Sequence, residues 1–134
     1  MLKLIIGLVL VAHGIGHSMG LLQIFKVATV NPAWDGGSWI LTGVAGTTVT
    51  HVIGAALWIV AMIGFVLAAG VVVGWLPAAW WQPVAIVASI ASLAGLVLFP
   101  NAFPVISTLG AAVVDVAVLV AVLWFHWVPA DLPA

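Results

Sequence analysis

Residues 2–25 read LKLIIGLVLVAHGIGHSMGLLQIF, and this stretch decides the fold. It is longer than the roughly 20 apolar residues that a helix needs to cross the hydrocarbon core of a bilayer. It also contains His13 and His17, which are one helical turn apart and therefore project from one face. An ionisable side chain within a membrane helix is costly, so it normally faces a protein interior or a cavity. The stretch predicts a membrane helix that carries a polar site.

The composition of the whole chain agrees with a membrane protein and excludes several functions. Of its 134 residues, 66% are hydrophobic and 4% are charged, which leaves too little polar surface for a soluble domain. The two cationic side chains, Lys3 and Lys26, do not form the basic patch that nucleic acid requires. The chain has no cysteine, which excludes disulfides, thiol redox chemistry and thiolate-bound iron–sulfur or zinc sites.

Three further apolar runs follow the first one, separated by residues that form turns. The four predicted spans are residues 2–25, 45–74, 83–99 and 105–127. Because backbone groups in lipid need internal partners, we expect one all-α domain over residues 1–134, an antiparallel four-transmembrane-helix bundle. An even number of spans places both termini on one side, here called side A. The loops 26–44 and 100–104 then lie on the opposite side, side B.

The N-terminus and the tryptophans bear on location. Met1-Leu2-Lys3 and the apolar run after it resemble the start of a signal peptide, but no small-residue cleavage site follows, so we expect a helix that is retained. We expect the protein in a bacterial or archaeal cytoplasmic membrane, with both termini in the cytoplasm. Most tryptophans fall near the two predicted membrane surfaces, as interfacial anchors do, whereas Trp58 lies near mid-membrane.

Small residues indicate which helix faces pack closely. Gly70 and Gly74 are four residues apart near side A, and an exposed glycine face there favours a homodimer or a larger membrane complex. Ser89 and Ser92 lie among small residues of the third span, which has no titratable group and is expected to act as a support. The predicted partners are therefore the lipid bilayer and other membrane subunits.

Four ionisable side chains are predicted to meet in the side-B half of the bundle. At about 1.5 Å of rise per residue, His17 lies roughly 12 Å from the side-B end of the first span, and His13 about 6 Å deeper. By the same rise, Asp115 lies about 15 Å inside the fourth span and His51 up to roughly 10 Å inside the second. Three helices thus bring three histidines and the one intramembrane carboxylate to similar depths.

These side chains suit a metal ion or a small ligand. Imidazole is the commonest metal ligand, and histidines at i and i+4 can chelate one ion. We therefore predict a metal site of His13, His17, His51 and Asp115, with Zn²⁺, Fe²⁺, Mn²⁺ or Cu²⁺ as candidates. Haem is less favoured because the chain has no Arg to bind its propionates. The absence of Glu removes the general base of a zincin-like protease.

Two other roles stay open at this point. Asp115 can couple proton movement to the transport of a small molecule or ion, with His13 and His17 passing protons to side B. Alternatively, the histidines and Asp115 form a structural lock that fixes the register of the helices without chemistry. No catalytic residue is identified, so the sequence does not decide whether the protein is an enzyme.

The residues from Ala12 to His17 also carry a resemblance. His13-Gly14-Ile15-Gly16-His17 resembles a His-Gly-x-x-His pattern near the N-terminus of short, four-helix bacterial membrane proteins without an assigned activity. The length and the number of spans are similar to those of the DoxX-like membrane proteins. This resemblance implies a small membrane protein and no particular reaction, and it assigns no residue a role.

Overall fold

Five α-helices make up the computed structural model, which describes residues 1–132. They are α1 (Leu2–Gly16), α2 (Ser18–Ile24), α3 (Leu41–Val72), α4 (Trp81–Leu98) and α5 (Val105–Leu123). Short 3₁₀ turns occur at Ala78–Trp80 and Pro129–Asp131. No β-strand occurs within residues 1–132, which confirms the all-α prediction. Residues 133–134 of the predicted domain lie outside the described part of the chain.

Four helical segments are long and apolar enough to cross a membrane. They are Leu2–Ile24, Leu41–Val72, Ala78–Leu98 and Val105–Leu123. The last of them is shorter than the predicted span 105–127, because His126 has a left-handed φ of 51°. The N–H groups of Phe125 and Trp127 fold back to the carbonyls of Val120 and Ala121, at 3.1 and 2.9 Å. A left-handed residue with such reversed bonds is a usual way for a helix to end.

The first segment consists of two helices that meet at His17. The backbone at His17 has φ −67° and ψ −20°, which are 3₁₀ values. Its N–H donates to the carbonyl of Gly14 at 3.1 Å, and its carbonyl accepts from the N–H of Gly20 at 3.2 Å. These are the i to i+3 bonds of a single tight turn within a helical segment. The segment stays helical on both sides of this turn.

The third helix contains a kink at Gly46. Its φ of 81° and ψ of 167° are non-helical and lie where glycine is favoured over residues with a Cβ. The hydroxyl of Thr50 donates to the Gly46 carbonyl at 2.8 Å, which gives that carbonyl a partner at the kink. The predicted start of the second span at residue 45 therefore falls next to the kink, and the helix itself begins earlier, at Leu41.

The long helix α3 is the centre of the bundle. It packs against α1, α2 and α4, and α4 in turn packs against α5. Small residues permit the close approaches, as in membrane helix pairs. A Cβ at Gly64 would collide with Ala88 of α4, and a Cβ at Gly14 would lie 2.9 Å from the carbonyl oxygen of Met62. Between α1 and α5 there is instead a seam with open space.

Two tryptophans predicted near the membrane surfaces are buried within the protein. Trp34 and Trp81 are 5% and 2% exposed. Trp81 donates its indole N–H to the carbonyl of Trp127 at 2.9 Å, and Trp34 donates to the carbonyl of Gly37 at 2.8 Å. Backbone carbonyls of the loop and the tail therefore accept from both indole N–H groups. Both tryptophans are part of the hydrophobic core, at the two ends of the bundle.

The loop at side B is held by Gln23 at the end of α2. Its Oε1 accepts from the N–H groups of Val30 and Asn31, at 2.9 and 2.8 Å. Its Nε2 donates to the carbonyls of Asn31 and Trp34, at 2.7 and 2.5 Å. One side chain thus pairs four backbone groups of a segment that has no secondary structure of its own.

Replacing Gln23 with leucine is expected to destabilise the fold by about 2 kcal/mol, because it leaves four partly buried backbone groups without their partner, and unpaired buried groups cost about 1–3 kcal/mol. Thermal unfolding in detergent measures the change. Gln82→Leu is the matched control, since Gln82 is exposed. Equal melting temperatures for the two variants would show that the Gln23 bonds do not hold the loop.

Candidate functional site

Four side chains from three elements form one line of hydrogen bonds. Ser92 of α4 donates its hydroxyl proton to Asp115 Oδ2 of α5 at 2.5 Å. The Nε2 of His13 in α1 lies 2.8 Å from Asp115 Oδ1. The Nε2 of His17 lies 3.1 Å from Ser92 Oγ, and it is the donor there because the serine proton is already used. The resulting order is His17, Ser92, Asp115, His13, which we call the polar chain.

Three of the four members of the polar chain are shielded from the surroundings of the protein. Ser92 and Asp115 are fully buried, and His17 is 2% exposed. Asp115 and Val122 are the buried residues of α5 and lie seven residues apart, so a single stripe of that helix faces the bundle. A carboxylate at such a position needs hydrogen-bond partners, because burying it alone is very costly.

Aromatic rings of α3 hold the two imidazoles in place. The His17 ring stacks on Trp58 with 5.4 Å between centroids and an interplanar angle of 11°. The His13 ring meets Phe65 edge to face at 4.4 Å. Trp58 and Phe65 are seven residues apart and therefore lie on one face of α3. The two histidine rings also contact each other edge to face at 4.9 Å.

A cleft of about 470 Å³ adjoins the polar chain between α1 and α5; it is open to the surroundings where Val9 and Met19 are exposed, and we call it the cavity. His13 and His17 line it, with Phe103 and Ser107 towards side B. About 7% of the His13 side chain is exposed. Because its Nε2 is turned to Asp115, Nδ1 is the ring nitrogen left for a molecule in the cavity. The volume falls within the range of small-molecule sites, about 300–1,000 Å³.

Two buried polar atoms at the site have no hydrogen-bond partner within the described residues. They are Nδ1 of His17 and Nε1 of Trp58. A Cβ at Gly20 would lie 2.8 Å from that indole nitrogen, so the backbone of α2 packs directly on it. Unpaired buried polar groups are uncommon in folded proteins, and each calls for an explanation.

The structure does not bring His51 to the polar chain. His51 lines a separate, polar cavity of about 500 Å³ at side B, together with Gln23, Lys26 and Asp35. Its Nε2 packs against Gly36, and a Cβ there would be 2.9 Å away. Along α3, His51 lies about 10 Å from Trp58 by helical rise. The sequence predicted only that His51 lies at a depth similar to that of the other three side chains. Depth alone does not distinguish a position at the polar chain from one in this separate cavity.

The metal prediction has no matching ligand geometry. Within residues 1–132, no group of three or more His, Cys, Asp or Glu side chains is placed to hold a metal ion. His13 and Asp115 are paired with each other, and Ser92 lies between Asp115 and His17. Metal binding by His13, His17, His51 and Asp115 therefore stays a prediction.

Sequence reasoning missed Ser92, the residue that connects His17 to Asp115. The third span was expected to be a support without chemistry, because serine among alanines and glycines is typical of helix packing.

Comparison with protein families, with curated proteins and with solved structures finds no match to this chain. The resemblance to DoxX-like proteins accordingly stays an expectation.

Proposed function

We propose that this chain is an integral membrane protein that binds a small neutral ligand in the cavity between α1 and α5. His13 contacts the ligand, and Asp115 positions the His13 ring. The supporting observation is that His13 contacts a buried carboxylate and a cavity at the same time. Its Nε2 lies 2.8 Å from the fully buried Asp115, and the residue also lines the cavity. Ionisable groups buried at this depth are expensive and usually mark a site.

The charge balance of the pair determines what His13 offers a ligand. Lys3, the nearer of the two lysines along the chain, lies about 15 Å from His13 along α1. We propose that Asp115 and His13 carry no net charge together, because a lone charge in apolar surroundings costs several kcal/mol. Such a pair holds one more proton than an ionised Asp115 beside a neutral His13.

That additional proton makes His13 Nδ1 a donor. If Asp115 is protonated, its proton bonds to His13 Nε2, and the neutral imidazole then carries its hydrogen on Nδ1. If His13 is cationic, both ring nitrogens carry hydrogens. Either arrangement leaves an N–H on Nδ1, the ring nitrogen that Asp115 does not engage, so we propose that the ligand contributes a hydrogen-bond acceptor such as a carbonyl oxygen.

A purely structural lock explains less of the site. The hydrogen bonds of the polar chain would fix helix register on their own, as expected for buried polar networks. They would not require the cavity beside His13. Transport coupled to Asp115, assembly as a homodimer and insertion in a cytoplasmic membrane stay predictions.

Binding of a short ketone tests the proposal. Methyl ethyl ketone with an isotope-labelled carbonyl is expected to bind the purified protein in detergent, with its C=O infrared band shifted to lower frequency. His13→Phe keeps a ring of similar size and removes the donor, so affinity should fall roughly tenfold, the value of one good hydrogen bond. His51→Phe is the matched control and should bind like the unmodified protein.

A second variant keeps the test valid if His13→Phe unfolds. Gly110 lines the same cavity, and a Cβ there meets nothing within 4 Å. Gly110→Leu should therefore fill the cavity without removing a hydrogen bond of the polar chain, and it should abolish ketone binding at an unchanged melting temperature. Undiminished binding in a folded Gly110→Leu protein would place the ketone elsewhere and overturn the proposal.

A further inference from the structure

The cavity beside His13 adjoins a second one. A space of about 390 Å³ lies farther along the seam towards side A. Val9 of α1 and Val114 of α5 line both cavities, so the two lie end to end along the seam. From His13 to Ile5, they follow α1 for about 12 Å. We call these two adjoining spaces the α1–α5 groove.

The two halves of the α1–α5 groove differ in chemistry. The half towards side A is lined by aliphatic residues, with the rings of Trp81 and Trp127 at its end. The half towards side B holds the imidazoles of His13 and His17. A ligand that fills the whole groove therefore needs an apolar tail and one polar group, and the polar group must lie at the end that reaches His13.

The polar group must be uncharged. The lining of the groove contains no Lys or Arg within the described residues, so an anionic head group would find no strong cation. A cationic head group would bring its charge out of water beside a donor, at a desolvation cost without a matching hydrogen bond. A ketone, ester or aldehyde oxygen accepts from His13 Nδ1 without adding charge.

We infer that the α1–α5 groove binds a single-chain amphiphile whose neutral carbonyl bonds to His13 and whose hydrocarbon tail lies against Val9, Val114 and Ala117. This inference rests on the proposed function, because it assigns a ligand class to the same site. It adds that the tail contributes to affinity and that the ligand lies along the seam, with its tail pointing to side A.

The experiment compares a ligand that has both the carbonyl and the hydrocarbon tail with ligands that lack the carbonyl or most of the tail. The probes are methyl undecyl ketone, methyl ethyl ketone and tridecane, added to the protein in phosphatidylcholine nanodiscs. Ala117 lines only the apolar half of the groove, so Ala117→Phe should obstruct the tail and leave the His13 end open. Val116→Phe is the matched control, since Val116 is 50% exposed and belongs to neither half.

We expect methyl undecyl ketone to bind roughly tenfold more tightly than the short ketone, after correction for partition into the bilayer, a difference of about 1.4 kcal/mol. Ala117→Phe should remove this advantage and preserve binding of the short ketone. Val116→Phe should retain both. Tridecane should compete weakly, since it lacks the acceptor.

The pattern of binding distinguishes failure of the groove inference from failure of the proposed function. If the short ketone binds but the tail adds nothing, or if Ala117→Phe leaves the advantage intact, the groove inference is wrong and the proposed function stands. If tridecane competes as well as the long ketone, the groove holds hydrocarbon without recognising a carbonyl, which overturns the inference. If the short ketone does not bind the unmodified protein, the proposed function fails as well.

Discussion

Replacing Asp115 with alanine is expected to lower the free energy of unfolding by about 3 kcal/mol, because buried polar groups that lose a partner cost about 1–3 kcal/mol each. Asp115 is fully buried and accepts from Ser92 at 2.5 Å, and its other oxygen lies 2.8 Å from His13. Its loss removes the partner of His13 Nε2 and one of the two partners of Ser92, which stays bonded to His17, and it leaves a space in the bundle. Chemical or thermal unfolding in detergent measures the change.

Two comparisons make the Asp115 result specific. Asp35→Ala removes an exposed carboxylate that bonds within its own turn, and its effect should stay below about 1 kcal/mol. In a double-mutant cycle, Asp115→Ala combined with His13→Phe should cost less than the sum of the two single changes, because neither partner is then left alone. A loss below about 1 kcal/mol for Asp115→Ala would contradict the polar chain.

Gly95→Ala should give a loss of about 3 kcal/mol, near the upper end for overpacking a filled core. A Cβ at Gly95 would overlap the six-membered ring of Trp58, which is fully buried. Trp58 cannot move aside without losing its stacking on His17, because the two rings lie 5.4 Å apart. We therefore expect both a lower melting temperature and a change in the total fluorescence of the eight tryptophans.

Gly43→Ala is the matched control for Gly95→Ala. A Cβ at Gly43 meets nothing within 4 Å, and alanine is favoured over glycine within a helix by roughly 1 kcal/mol. Its melting temperature should be unchanged or slightly higher. A tolerated Gly95→Ala would show that α3 and α4 are not packed through the Trp58 ring.

Much of the fold follows from apolar runs and turn residues. The four predicted spans all overlap the helical segments of the structure, because length and hydrophobicity are local properties of the chain. The 3₁₀ turn at His17 and the left-handed φ at His126 depend on the backbone around them. No residue pattern in the sequence predicted either feature. Boundaries are the least predictable part of a helix for this reason.

The candidate site was predictable only in part. Depth along each helix correctly associated His13 and His17 with Asp115, since helical rise is nearly constant. Depth also grouped His51 with these residues, whereas the structure places it in a separate cavity. Depth does not determine which neighbouring helix a side chain faces. It also passed over Ser92, whose role arises from the packing of α4 between His17 and Asp115.

¹⁵N NMR of histidine-labelled protein measures whether Nδ1 of His13 carries a hydrogen. His13→Phe assigns the signals. We predict a hydrogen on Nδ1, seen as a one-bond nitrogen–hydrogen coupling, and a change in its chemical shift when methyl ethyl ketone is added. An Nδ1 without hydrogen, or a signal that the ketone leaves unchanged, would contradict the proposal that His13 donates to a ligand in the cavity.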